Sequence, residues 1–102
     1  MATRESNLRD QVAAFLKGKS QCWHVKNLGS AMGRRGIPDF VICFHGRFVA
    51  IELKAGKGVT TPIQDVEHAK IAAASGVVAV ARSLDEVKRI LEDVEMRVAA
   101  GD

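Results

Sequence analysis

An aspartate, a glutamate and a lysine mark matching ends of two adjacent apolar runs, Pro38-Asp-Phe-Val-Ile-Cys-Phe44 and Phe48-Val-Ala-Ile-Glu-Leu-Lys54. The His45-Gly46-Arg47 between them is a short turn signal of the kind that closes a β-hairpin. With His45 and Gly46 as a two-residue turn, Phe44 faces Arg47. Counting outward pairs Cys43 with Phe48, Val41 with Ala50 and Asp39 with Glu52. Directly opposed residues have Cβ atoms roughly 4.5–5.5 Å apart, and the alternation of side chains puts Lys54 on the face of Glu52. Two carboxylates and an ammonium then converge on one spot. Like charges facing each other across a ladder are destabilising, and a divalent cation is the usual remedy. Carboxylates plus a main-chain carbonyl, here that of Leu53, suit a hard cation such as Mg²⁺, with waters completing its shell. A cation held this way polarises a phosphoryl oxygen and acidifies a bound water. Lys54 could orient that water and counter charge building on the phosphate. The plainer alternative is a surface hairpin with solvated acidic and basic ends. Glu-x-Lys alone is a common triplet; a Pro-Asp start matched to a Glu-x-Lys end is a much narrower pattern.

Other candidates have two readings each. Gln64 sits at the capping-box position of a helix opened by Thr61-Pro62, where it needs only to bond the Thr61 N–H. Alternatively, that helix N-terminus lies beside the site and helps hold phosphate or water. Glu5 begins the first helix, where a carboxylate favours the macrodipole, or it is an outer carboxylate near the metal. Arg34 and Arg35 end the segment Gly29-Ser-Ala-Met-Gly-Arg-Arg-Gly36, which is either a solvated loop or a phosphate-gripping one. Together with Lys54 and Lys57 they flank the acidic cluster, a local charge suited to a polyanionic substrate. Trp23 reads as core rather than a base-stacking platform.

The chain of 102 residues is long enough for one domain burying roughly 60–70% of its unfolded surface. An apolar fraction of 47% argues against disorder, and no run approaches the ~18 apolar residues of a membrane span. The polar start Met-Ala-Thr-Arg-Glu-Ser has no apolar signal stretch behind it, so an intracellular, cytoplasmic protein is expected. Cys22 and Cys43 are too few and too separated for a disulfide framework and read as small strand hydrophobes. His24, His45 and His68 show no zinc-ligand spacing. A net charge of +3 is too mild to establish nucleic-acid binding by itself.

The elements that must carry these residues follow from periodicity. Leu8, Val12, Phe15 and Leu16 form a helical stripe from about Thr3 to Lys17, ended by Gly18. Cys22–Leu28 reads as a first strand, and the hairpin occupies about 38–54. Its strands are apolar on both faces, which predicts a sheet covered by helices on both sides. A second helix runs from Thr61 to about Ser75 and stops at Gly76. Val77–Ala81 is a short strand, and Ser83-Leu-Asp-Glu86 is a second capping box opening a helix to about Val98. That helix carries Val87, Ile90, Leu91 and Val94 on one face. The order α-β-β-β-α-β-α predicts an α/β fold, one mixed sheet flanked by helices, with the last strand parallel to a neighbour.

Gly36-Ile-Pro-Asp39, Ile51-Glu-Leu-Lys54 and a Gly/Lys loop leading to Gln64 together resemble the VRR-NUC branch of the PD-(D/E)XK nucleases, over about residues 5–92. The resemblance implies a restriction-endonuclease-like core in a single domain spanning residues 1–102. It also implies Mg²⁺- or Mn²⁺-dependent endonuclease cleavage of a DNA phosphodiester. It makes Asp39 and Glu52 metal ligands, Lys54 the catalytic lysine, Gln64 a supporting residue and Glu5 an acidic partner from the first helix. No accessory DNA-binding domain is evident. Stand-alone members of this kind are similar to phage or bacterial proteins that form homodimers and act on branched DNA such as four-way (Holliday) junctions. The apolar stripe of the last helix is a candidate dimer surface. The same fold could instead serve as a catalytically silent or partner-activated DNA-binding module; the intact Asp, Glu and Lys favour catalysis.

Overall fold

A computed structural model describes residues 3–27 and 33–102. Leu28, the expected end of the first strand, and the opening of the Gly29–Gly36 segment lie outside the described residues. The elements are α1 (Arg4–Lys17), β1 (Cys22–Lys26), β2 (Phe40–Phe44), β3 (Arg47–Leu53), α2 (Pro62–Ala73), β4 (Val77–Ala81) and α3 (Leu84–Ala99). They form the anticipated α/β architecture, one mixed sheet in the order β1-β2-β3-β4. β1 and β2 pair antiparallel, as do β2 and β3, while β4 runs parallel to β3. The turn does what its residues suggest: His45 and Gly46 have φ of 52° and 76°. Both central residues in the left-handed region is the type I′ requirement, and it sets the register Phe44↔Arg47, Cys43↔Phe48, Val41↔Ala50.

Helix starts are fixed by side chains. Thr3 caps α1 by accepting from the Ser6 N–H, and Ser6 bonds back to the Thr3 N–H, so serine completes a box usually closed by Glu or Gln. Thr61 and Gln64 close the box on α2 with Pro62 in the first turn. The box expected at Ser83 is only half made. Ser83 accepts from the Glu86 N–H, but the Glu86 carboxylate reaches past it to the Arg82 N–H.

The core lies on one face of the sheet. Phe40, Ile42, Phe44, Val49, Ile51 and Leu53 are buried against Leu8, Val12 and Leu16 of α1 and Val87, Leu91 and Val94 of α3. Burial of each such side chain is worth about 1.5–3 kcal/mol. The apolar stripe of α3 is thereby consumed inside the chain, which removes it as a dimer surface. The opposite face, bearing Phe48, Ala50 and Glu52, is covered only in part. α2 lies over it toward β4, burying Ala50 and Glu52 but leaving Phe48 and Cys43 exposed. Trp23, directly beside Cys43 in the register, is 62% exposed rather than in the core. Two-sided covering therefore holds around Ala50 and Glu52 and fails toward β1 and the turn end of the hairpin, where Trp23, Cys43 and Phe48 are exposed. No helix among the described residues is long and apolar enough to cross a membrane.

Candidate active site

Asp39 stands immediately before β2, one step beyond the Phe40↔Ile51 pair, so the ladder brings it opposite Glu52. Three contacts hold this corner. The Asn27 N–H donates to the Asp39 carbonyl at 2.7 Å, and Asn27 Nδ2 donates to the Ile37 carbonyl at 2.9 Å. Gly36, at φ 86°, lets the preceding segment lie against α2; a Cβ there would stand 2.7 Å from both the side chain and the carbonyl of Ile63. The Asp39 carboxylate is then tied at both oxygens. Oδ2 accepts from the Leu53 N–H at 2.7 Å, and Oδ1 accepts from Arg9 Nη2 at 3.5 Å.

Glu52 is the buried member of the pair, with its side chain 4% exposed. Its Oε1 is buried with no hydrogen-bond partner. Burial, then hydrogen bonding to Asp39 and the charge of Asp39, push the Glu52 carboxyl up to about 8; Lys54 pulls the other way and Glu5 adds to the rise. Lys54 follows β3 with its backbone N–H donated to the Ala81 carbonyl and its side chain half-buried. The hairpin alone therefore gathers two carboxylates, the Leu53 carbonyl and an ammonium.

The remaining candidates are placed differently from one another. Glu5 reaches the site through Arg9, whose Nη2 lies 3.5 Å from both Glu5 Oε2 and Asp39 Oδ1. Gln64 Oε1 accepts from the Thr61 N–H at 2.9 Å, so that end of its amide serves the cap. Arg34 pairs with Glu67, a buried carboxylate on α2 that Lys70 also approaches at 3.6 Å. Arg35 and Lys57 are exposed.

Two residues at the site escaped the sequence. Arg9 is one; its only signal is the i,i+4 spacing from Glu5. His68 is the other. Its Nε2 stands 3.7 Å from Glu52 Oε1, and neither atom has a hydrogen-bond partner. Burial lowers the His68 pKa, favouring the neutral imidazole. It lies one turn after Gln64, so the same side of α2 carries both.

The donor set can be tested against a cation. Among the described residues no three His, Cys, Asp or Glu side chains are grouped to hold a metal, so any ion here would take two carboxylates and the Leu53 carbonyl. Of the paired acids at the end of the ladder, Asp39 is matched by Arg9, whereas the buried Glu52 keeps an oxygen with no hydrogen-bond partner. These residues fit a hard divalent ion that keeps several waters.

No protein-family profile matches the sequence, and no curated protein matches it. Among solved structures the chain is similar to one described as "VRR_NUC domain", with a TM-score of 0.74 and 24% identity over 89% of this chain and 97% of that one. A second, "VRR_NUC domain protein", gives a TM-score of 0.65 and 20% identity over 94% of this chain and 88% of the other. The likeness is one of fold: the chain shares the mixed-sheet architecture of these VRR_NUC domain structures.

Proposed function

We propose that this protein is a metal-dependent endodeoxyribonuclease that hydrolyses DNA phosphodiesters, acts on branched substrates such as four-way junctions, and works as a homodimer. The observation that carries the reading is the meeting of Asp39, Glu52 and Lys54 at one end of a hairpin, with an orphaned Glu52 oxygen between them and α2. Asp39, Glu52 and the Leu53 carbonyl would hold Mg²⁺ or Mn²⁺. Such an ion, when bound, polarises the phosphoryl group and acidifies a water.

The chain's own residues do the rest. The Leu53 N–H and Arg9 fix the two oxygens of Asp39, so the carboxylate is oriented before substrate arrives. Lys54 places a positive charge beside Glu52, where it can hold the attacking water and stabilise charge on the scissile phosphate. Arg9 offsets part of the acidic charge that would repel DNA. Gln64 and the start of α2 support the site from the Glu52 side. Arg35, Lys57 and the exposed guanidinium of Arg34 contact the strand flanking it. A two-fold dimer presents two such sites, the geometry for paired cuts near a branch point.

The test is incubation of purified protein with labelled linear, flap, splayed and four-way DNA, with and without Mg²⁺ or Mn²⁺. Cleavage should require the cation, favour the four-way substrate, and vanish in Asp39→Ala and Lys54→Ala while folding is retained. Unchanged rates in either variant would defeat the assignment. Light scattering at the assay concentration checks the dimer.

A further inference from the structure

Deepening the nuclease reading and resting on it, we propose that a polar hollow beside Lys54 is a binding subsite for a backbone phosphate of the DNA, gripped by Arg4 and Arg82. The hollow has a volume of about 350 Å³ and is lined by Arg4, Asn7, Gln11, Gly56, Arg82 and Ser83, among others, with no carboxylate in its wall. Two guanidinium groups converge on it from different elements. Arg82 Nη1 donates to the Gly56 carbonyl at 3.0 Å. The Arg4 guanidinium faces the same glycine, close enough that a Cβ there would lie 3.4 Å from Arg4 Nη1.

Neither arginine takes part in an ion pair among the described residues, whereas Arg9, Arg34 and Arg97 are each matched to a carboxylate. The nearby acids of α3, Asp85 and Glu86, do not line the hollow, and Glu86 is turned onto the Arg82 N–H. Two guanidinium forks without a carboxylate partner, only one N–H of Arg82 being given to the Gly56 carbonyl, flanked by the Asn7 and Gln11 amides, offer the chemistry that recognises a phosphodiester. The start of the 16-residue α3, capped by Ser83, adds a favourable dipole for an anion.

Position supplies the link to function. Ala55 and Gly56 of the hollow's wall directly follow Lys54, and Arg4 immediately precedes Glu5, so the same two chain segments supply the hollow and the acidic site. A strand whose scissile phosphate lies at Lys54 would lay a neighbouring phosphate there.

The experiment measures binding of short labelled single-stranded and duplex DNA by fluorescence anisotropy over a salt series in chelator, then cleavage kinetics with Mn²⁺. It compares wild type, Arg4→Gln, Arg82→Gln, the double variant and Arg89→Gln, which removes an exposed charge elsewhere on α3. Each single variant should weaken binding several-fold and reduce the slope of log K against log salt by about 0.7–0.9, the double by about twice that. KM should rise more than kcat falls. Arg4→Gln carries the case alone if Arg82→Gln, which frees the Gly56 carbonyl, perturbs folding. Wild type that cuts DNA beside a double variant matching Arg89→Gln in slope and affinity would overturn the subsite alone. Wild type that neither binds nor cuts any DNA would overturn the nuclease reading and the subsite with it.

Discussion

Replacing Glu52 with glutamine should make the metal-free protein more stable at alkaline pH, an unusual result for a substitution in the proposed active site. The Glu52 carboxyl titrates near 8 in the folded chain against an ordinary value of 4.5. A raised folded value means that the native state holds the proton more tightly than the unfolded chain does. The resulting stabilisation is complete below about 4.5, declines as the pH climbs, and is gone above about 8. At roughly 1.4 kcal/mol per pH decade the span has an upper bound of about 5 kcal/mol. Asp39 shares the effect, so a few kcal/mol is expected at pH 9. Glutamine keeps the shape, carries no charge and cannot titrate, so it escapes the loss. For a domain of this size each kcal/mol moves Tm by about 4–8 °C. The assay is thermal unfolding of both proteins in chelator from pH 5 to 9, taking their difference so that other carboxylates cancel. The two should lie close at pH 5, diverge up to about pH 8 and level off by pH 9, with the variant higher. Adding Mn²⁺ at pH 8 should raise the wild type and leave Glu52→Gln unmoved. Parallel curves across the whole range would refute the argument that an uncompensated acid is buried here.

Gly36→Ala should cost about 1–3 kcal/mol, because its φ of 86° disfavours a side chain and the added carbon would press within 2.7 Å of Ile63. Since Asp39 follows three residues later, cleavage should slow as well; a denaturant midpoint matching wild type would show that the segment docks otherwise. Gln64→Ala should remove half of the α2 cap, lowering stability by about 0.5–1 kcal/mol. At temperatures where the variant stays folded it should also cut DNA more slowly, and a wild-type rate there would assign Gln64 to the cap alone.

The hairpin was readable from sequence because its turn determines its register. His45-Gly46 admits few geometries, and from it the facing of Asp39 and Glu52 follows by counting. Helix starts were readable because capping chemistry is local, although Ser6 and Glu86 show that the partner of a cap can differ from the expected one. Arg9 and His68 were not readable. Each belongs to a helix whose rotation about its axis is decided by packing against the sheet, and no short-range signal says which turn meets Asp39 or Glu52. Arg34 finding Glu67 is likewise a pairing across 33 positions. The exposure of Trp23 was missed because strand alternation tells which residues share a face, never how far a covering helix extends along it.

β3 is an interior strand, bonded to β2 on one side and β4 on the other, and it bears both Glu52 and the approach to Lys54. Edge strands and thinly covered segments are the first to breathe, whereas amides of a doubly paired, buried strand exchange with solvent only in rare, extensive openings. Glu52 is thus mounted on the part of the sheet least given to local fluctuation. Partial opening of β1 would disturb the Asn27 brace and so Asp39, leaving the glutamate in place.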